Sequence, residues 1–267
     1  TRLLRRLHLD LISCRAAEID SSKLGCEPGE ALAVNLAFAL SRVPDESVSP
    51  ANPRDELLRR VRGLGPRVVT LVEQELNSNT APLATRFTDA CAHYGAILDS
   101  LDATAGRDSA DRARAEEAVA NKAANAVGRE GADRLERCEV FGKWRARFGM
   151  AGFRPVALAA GIADQVKARV GNSQPGFAVK PENGVLRLGW MERVITVASA
   201  WRWSGEVAPS LPPPDNWLIN SRPSLIFILS FFFDWQGVMS LFFAQWTRLR
   251  SGRSGCGEAV SAPFKGG

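Results

Sequence analysis

Two carboxylates and two amides follow directly on an apolar run in the first third of the sequence. Residues 67–72 read Arg-Val-Val-Thr-Leu-Val, and Glu73, Glu75, Asn77 and Asn79 come after them. The β-branched run predicts a short strand buried on both faces. In open α/β sheets ligands bind outside the carboxyl ends of strands, so any chemistry should lie near these four side chains. The alternative is that the glutamates simply end a core strand and the amide segment caps the next helix.

Side chains suited to catalysis are sparse. Glu73 and Glu75 are a pair of the kind used for general acid–base catalysis, but alternate residues of a strand point to opposite sides of the sheet. His8 and His93 are the only histidines, and His93 is expected on the more exposed side of its helix. No Ser/His/Asp arrangement, metal-ligand spacing or P-loop is present. We therefore predict no catalytic residue, no cofactor, no metal site and no enzymatic activity.

Composition indicates an ordinary globular protein. The 267 residues carry a net charge of +5, which permits an acidic partner without requiring one. The five cysteines are scattered and form no CxxC pair, so reduced thiols in a cytosolic or nuclear protein are the simpler interpretation. The sequence begins at Thr1 without a signal-peptide pattern, and we expect it to be a fragment that lacks an N-terminal portion.

Strand-like and helix-like segments alternate along the chain. Strands are predicted at 9–12, 31–36, 68–72, 177–179, 185–190 and 194–201, and helices at 52–63, 83–101, 109–131, 135–150 and 162–170. In the helix at 83–101 one apolar face is expected to point inward; it comprises Leu83, Phe87, Ala90, Cys91, Tyr94, Ile97, Leu98 and Leu101. The pair Asn183-Gly184 predicts a hairpin. The order predicts a mixed, mostly parallel sheet flanked by helices and ending in an antiparallel meander.

The composition changes after Arg202. Pro212-Pro213-Pro214 breaks the chain, and residues 225–246 are almost wholly apolar. That length would span a bilayer, but Asp234 lies in its middle, where a carboxylate is costly, so we do not expect a membrane anchor. The bias toward Ser, Phe, Leu and Ile is also typical of a translated non-coding stretch. We predict a tail at 203–267 that is disordered or not native.

Several motifs, in one order, resemble a single family. They are Pro28–Asn35, Pro44–Val48, Asn52–Asp55, Val69–Glu75, Arg134–Glu139, Lys143–Arg147, Ala151–Phe153 and Ser199–Trp201. Over residues 12–202 the sequence resembles the C-terminal portion of a GRAS-domain protein, and most of all a scarecrow-like plant transcriptional regulator. The family's N-terminal leucine-rich repeat and VHIID-type strand have no counterpart here. The residues from Trp203 onward match nothing in the family.

The resemblance implies a Rossmann-like core similar to that of class I methyltransferases. It also implies a nuclear, non-enzymatic regulator of transcription that forms homodimers or heterodimers and binds other proteins, zinc-finger DNA-binding factors among them, with weak DNA contact in some cases. The alternative function on the same fold is a small-molecule methyltransferase that uses S-adenosylmethionine. Fold alone does not decide between the two.

The resemblance and the residue types single out two groups of positions. The family's structural motifs contain Glu73, Glu75, Asn77, Asn79, Arg134, Glu136, Trp144, Gly152, Trp190 and Trp201. Candidate contacts to nucleic acid or to a partner are Arg59, Arg60, Arg62, Lys143, Arg145 and Arg147. The tryptophans could instead be core residues, and the cations could form a solvated helix face.

Overall fold

A mixed β-sheet organises the chain in the computed structural model. The structure describes residues 24, 32–158, 161–170, 175–203, 205 and 226–230. Within them the strands are β1 (Ala33–Ala37), β2 (Val68–Gln74), β3 (Phe153–Val156), β4 (Phe177–Glu182), β5 (Val185–Trp190), β6 (Arg193–Trp203) and β7 (Ile226–Ser230). The helices are α1 (Pro53–Gly63), α2 (Leu83–Thr104), α3 (Ala110–Gly128), α4 (Phe141–Met150) and α5 (Ile162–Val170). A short 3-10 turn spans Leu40–Arg42.

The segment from β1 to β2 forms the predicted strand–helix–strand unit. Asn52 caps α1 by accepting a hydrogen bond from the Asp55 amide at 3.2 Å, and Pro53 occupies the first turn, where a missing N–H costs nothing. The helix then carries the chain back so that β1 and β2 pair in parallel. Strand β2 lies between β1 and β6, with Val69 and Leu71 buried. The prediction of a buried central strand is confirmed.

The sheet is mixed, but the prediction that it is mostly parallel is wrong for the described residues. Only the pairings of β1 with β2 and with β7 are parallel. Strand β6 pairs antiparallel with β2 along one edge and with β5 and then β3 along the other, while β4 pairs antiparallel with β5. Apolar periodicity shows that a strand is buried and does not show its direction. The hairpin at Asn183-Gly184 is confirmed, with φ of 51° and 81°.

Two hydrophobic clusters hold the helices to the sheet. The first packs α1 and α4 against β1, β2 and the end of β6, and Phe148 of α4 stacks on Trp201 with ring centroids 4.6 Å apart. The second joins α2 to α3 around Tyr94, Ile97 and Val119. Burying large side chains of this kind stabilises a fold by about 1.5–3 kcal/mol each.

Three sequence predictions are corrected by these helices. Helix α2 forms as predicted, but Leu83, Phe87, Cys91 and Leu98 lie exposed on it, because the buried face is formed by other members of the apolar set. His93, expected near the surface, is completely buried. The helix predicted at 135–150 begins only at Phe141, and the residues before it run without regular structure.

The tail contributes one described segment. Residues 226–230 form β7, which pairs in parallel with β1 from Ala33↔Ile226 to Ala37↔Ser230. No helix among the described residues is long and apolar enough to cross a membrane. The strand predicted at 9–12 and most of the apolar stretch at 225–246 lie outside the described residues.

Candidate functional site

The four polar residues after the central strand separate into different environments. Glu73 is buried, and its Oε1 accepts hydrogen bonds from the amides of Leu40 and Ser41 at 2.9 and 3.2 Å. Glu75 is partly exposed, and it accepts from the Phe141 amide at 2.9 Å.

Asn77 and Asn79 differ in the same way. The Oδ1 of Asn77 is buried without a hydrogen-bond partner among the described residues. Asn79 is buried, and its Nδ2 donates to Asp45 Oδ2 and, at 2.8 Å, to Glu139 Oε1. Only Asn79 of the four therefore joins the largest group of charged side chains at this end of the described sheet.

That group is centred on Arg147, whose side chain is 7% exposed. Its Nε donates to Glu139 at 2.7 Å and its Nη2 to Asp45 at 3.0 Å. Its Nη1 donates to Asp55 at 2.8 Å and to Glu46 at 3.0 Å. One arginine of α4 thus ties the loop after β1 to the first turn of α1 and to the segment before α4.

A second buried arginine lies behind the first. Arg54 is fully buried, with Nη1 at 3.4 Å from Glu139 and 3.6 Å from Asp45, and its Nε donates to the Val43 carbonyl at 2.9 Å. Its guanidinium also lies over the Trp144 ring, 5.2 Å from the ring centroid. We call Asp45, Arg54, Asn79, Glu139 and Arg147 the buried charge network.

Mutual pairing keeps the network ionised. Burial opposes ionisation of Asp45, but hydrogen bonds from Ser47 and Asn79 and the charge of Arg54 outweigh it and hold the pKa of this carboxyl below its usual range. Burial likewise opposes the charge on Arg147, yet its carboxylate partners raise the pKa of the guanidinium. A buried ion costs several kcal/mol unless it is paired and hydrogen-bonded, and both conditions are met here.

Glu73 and His93 differ from the network because neither has a counter-ion in contact among the described residues. Burial raises the pKa of Glu73 to about 7, although the Ser41 hydrogen bonds act in the other direction. Burial lowers the pKa of His93 to about 3, and the nearby charges of Arg193 and Lys122 act in the same direction. His93 Nε2 lies 3.2 Å from Gln74 Oε1, so the neutral ring has a partner on the strand.

A cavity of about 400 Å³ opens beside the network. Its walls come from the segment after β1, from α3 and from the segment before α4; they include Ser41, Arg42, Val43, Asn121, Lys122, Asn125, Arg134, Leu135, Glu136 and Arg137. Lys122 Nζ donates to both carboxylate oxygens of Glu136, at 2.5 and 2.7 Å. Burial and neighbouring arginines lower the pKa of both Arg134 and Arg137. The cavity is thus rich in cations. No group of side chains suited to holding a metal ion occurs among the described residues.

Comparison with known proteins identifies the family. The chain matches the GRAS domain family over residues 6–202. It belongs to the GRAS family. This GRAS chain is 45% identical over 192 residues to the scarecrow-like transcription factor PAT1 of Arabidopsis thaliana, a match that covers 72% of the chain and 39% of that protein. The resemblance seen in the motifs is confirmed.

Further relatives agree. Scarecrow-like protein 21 of Arabidopsis thaliana is 42% identical, with 72% of this GRAS chain and 46% of that protein covered. DELLA protein 1 of Medicago truncatula is 33% identical, with 70% and 33% covered. The crystal structure of SCL7 in Oryza sativa superposes with a TM-score of 0.66 at 31% identity, covering 72% of this chain and 53% of that one. The chain therefore spans less than half the length of these curated relatives.

The aromatic motif residues lie in the interior of this GRAS chain. Trp144, Trp190 and Trp201 are all at most 2% exposed. Trp190 Nε1 donates to Asp99 at 2.6 Å and Trp201 Nε1 to Ser199 Oγ at 2.9 Å. These contacts give the three rings a packing role in the described fold.

The remaining motif residues connect segments. Arg134 Nη1 donates to the Ser78 carbonyl at 2.5 Å, and Glu136 is the partner of Lys122. Gly152 has φ of 88° and lies against the Arg62 side chain, so the turn between α4 and β3 needs a residue without a side chain there.

The candidate contact cations fall into two classes. Arg59 and Arg60 are exposed on α1 and pair with Glu56 at 3.0 and 3.1 Å. Arg62 donates to the Ala151 carbonyl at 3.2 Å, and Lys143 to Thr80. Arg145 is exposed on α4. Arg147, in contrast, is enclosed by the carboxylates of the network and does not face solvent.

Sequence reasoning did not identify Asp45 and Arg54 as interior charges. One signal was available for Arg54: it stands in the first turn of α1, where the helix dipole disfavours a cation. A cation at that position suggests that stronger local carboxylates hold it, and Asp45 and Glu139 are those carboxylates.

Proposed function

We propose that this chain is part of a nuclear regulator of transcription that acts by binding other proteins and by dimerising. The observation that carries the proposal is the match to the GRAS family across residues 6–202, together with 45% identity to a protein named as a transcription factor. Partners of the zinc-finger DNA-binding class are expected from the family resemblance. A weak contact with DNA is part of the proposal.

The geometry supports a binding role over a catalytic one. The charged groups of the network are used on one another, and Arg147 alone holds three separate segments together. A catalytic group needs reach to a substrate, whereas Arg54 and Glu139 are enclosed. The network acts as a rigid support for the outer surfaces of α1 and α4.

Those outer surfaces carry the proposed DNA contact. Helices α1 and α4 lie side by side, joined by the bond from Arg147 to Asp55 and by that from Arg62 to the end of α4. Arg59, Arg60 and Arg145 are exposed on the two helices. Cations spread along a surface bind phosphates without reading bases, which fits a regulator directed to its sites by a partner.

A reporter assay tests the regulatory role. The chain is fused to a heterologous DNA-binding domain in plant protoplasts, and reporter output is compared with that of the DNA-binding domain alone. We expect a change in output, in either direction. An unchanged reporter, with the fusion present in the nucleus at a matched level and folded, contradicts the proposal.

Fluorescence anisotropy with a DNA duplex tests the phosphate contacts. Removing one cation that binds a phosphate should lower the slope of log affinity against log salt by about 0.9, so replacing Arg59, Arg60 and Arg145 by Ala should lower it by about 2.7. Arg114→Ala is the matched control, since Arg114 is an exposed arginine on α3 that pairs with a nearby aspartate. A slope that the triple variant leaves unchanged rules out this surface.

The cavity beside the network keeps the methyltransferase alternative testable. It lies near the carboxyl end of β1, where ligands of α/β proteins bind, and its walls include Arg42 and Lys122. A thermal-shift titration with S-adenosylmethionine decides between the two. A rise of several degrees that Lys122→Met abolishes would favour the transferase, and no shift would favour the regulator.

A further inference from the structure

Helix α2 carries an apolar line of side chains on its outer face. Leu83 and Phe87 are each 54% exposed, Leu98 is 41% exposed, and Cys91 is exposed between them. We call these four residues the α2 stripe. A helix on a protein surface normally presents polar residues to water, so a run of large apolar side chains over four turns points to a binding partner.

The rest of the outer face contains no charge over the same length. The exposed residues that flank the stripe between positions 83 and 98 are Ala84, Thr85, Thr88, Ala92 and Gly95. These side chains are small, so another helix can approach closely. The charged residues in this interval, Arg86 and Asp89, lie buried and half-buried.

The stripe is nearly symmetric about Cys91. Leu83 stands eight residues before it and Leu98 seven after it, while Phe87 and Gly95 stand four residues on either side. In an antiparallel pair of identical helices crossing at this point, the Leu83 of one copy faces the Leu98 of the other. The Phe87 ring then faces Gly95, where a hypothetical Cβ would meet nothing within 4 Å.

The two ends of α2 are electrostatically complementary. Its N-terminus has no side-chain cap and no acidic residue in the first turn, and Lys143 donates to Thr80 just before it. Its C-terminal half carries Asp99 and Asp102, with no basic residue in the last turn. Antiparallel pairing brings each acidic end to the uncapped N-terminus of the other copy, where carboxylates are favourable.

We propose that the α2 stripe is the surface on which a second copy of this chain docks, with the two α2 helices antiparallel and crossing at Cys91. This deepens the proposed function, on which it rests, by naming the surface and the partner for dimerisation. The stripe covers about 15 residues, or roughly 22 Å of helix. One helix pair buries less than the roughly 800 Å² per partner of a standard interface, so the dimer should be reversible and micromolar.

Sedimentation over a range of protein concentrations tests the proposal with the whole chain. The wild-type chain should pass from monomer to dimer in the micromolar range. Phe87→Glu should weaken the dimer at least about tenfold, since it places two carboxylates in the contact. Met150→Glu is the control, because Met150 is 74% exposed at the end of α4, away from the stripe, and should dimerise like the wild type.

Cross-linking tests the crossing point. In a variant with Cys14, Cys26 and Cys256 replaced by Ser, a short bis-maleimide should join two copies through Cys91, which is exposed, whereas Cys138 is buried. Circular dichroism verifies that each variant is folded. If Phe87→Glu is not folded, Leu98→Lys replaces it in the sedimentation experiment.

Three results would overturn the proposal. The first is a chain that stays monomeric at every concentration, and the second is a dimer that Phe87→Glu leaves intact. The third is a Cys91 thiol that reacts slowly with maleimide at every dilution, which would mean that another segment of the same chain covers the stripe. Reporter output in the same variants separates the two ideas: output that survives the loss of the dimer refutes only the docking surface.

Discussion

Replacing Glu73 by Gln should stabilise the protein at neutral and alkaline pH. Glu73 is 2% exposed, and it accepts hydrogen bonds from the Leu40 and Ser41 amides without a counter-ion in contact in the described part of the chain. Burial raises its pKa from 4.5 to about 7. At about 1.4 kcal/mol for each tenfold change in proton affinity, the ionised form costs the fold roughly 3 kcal/mol.

The sign follows from proton binding. Between pH 4.5 and about 7 the folded state holds the proton on Glu73 and the unfolded state releases it. The contribution of Glu73 is therefore fully present below pH 4.5 and is lost as pH rises toward 7. Glutamine remains neutral and its Oε1 still accepts from both amides, so the variant escapes that loss.

Urea unfolding of the wild type and of Glu73→Gln across this pH range measures the effect. The variant's advantage in free energy of unfolding should be near zero at pH 4.5 and grow to at most about 3 kcal/mol above pH 7. Glu75→Gln is the control, because it removes a charge from a partly exposed side chain close by. An advantage that is constant with pH, or a variant less stable at high pH, would refute the reasoning.

Three further outcomes are expected. Arg147→Met should lower the free energy of unfolding by about 3–5 kcal/mol, because it leaves buried carboxylates unpaired, whereas Arg145→Met on the exposed side of α4 should change it by less than about 0.5 kcal/mol; urea unfolding of both variants checks this. Trp201→Ala should cost about 3–5 kcal/mol by the same measurement, since the fully buried ring is stacked on Phe148. His93→Gln should remove a loss of stability that the wild type shows as pH falls from 6.5 toward 3, because His93 is held neutral in the fold and takes up a proton on unfolding; unfolding titrations over that range would contradict this if both proteins lose stability equally.

Local signals predicted most of the elements. The Asn52-Pro53 start of α1, the Ser109 cap of α3 and the Asn183-Gly184 hairpin all form as their sequences indicate. Each depends on contacts within a few residues of chain, and such contacts can be read from spacing alone.

Long-range choices could not be read in this way. Strand direction depends on which partner a strand meets, so β6 looked the same in sequence whether it paired parallel or antiparallel. The apolar face of α2 is wider than the surface available to bury it, and the position of α3 decides that Tyr94 is covered and Phe87 is not. Periodicity gives the composition of a face and does not give its neighbours.

The candidate site was predicted only in part. Asn79 joins the network as the position after a central strand suggested, whereas Arg147 was assigned to a surface because isolated charges usually lie there. Its burial depends on four carboxylates brought together from three parts of the chain. Composition in a single window cannot reveal such an arrangement.

The position of β6 also constrains how the chain is made. This strand lies between β2 on one side and β5 and β3 on the other, and it ends at Trp203. During synthesis β2 waits, with one side unmatched, until more than a hundred later residues have left the ribosome. Since unmatched strands invite aggregation, the nascent protein should depend on chaperones until that last insertion occurs, and a ribosome stalled before codon 193 should yield an insoluble product.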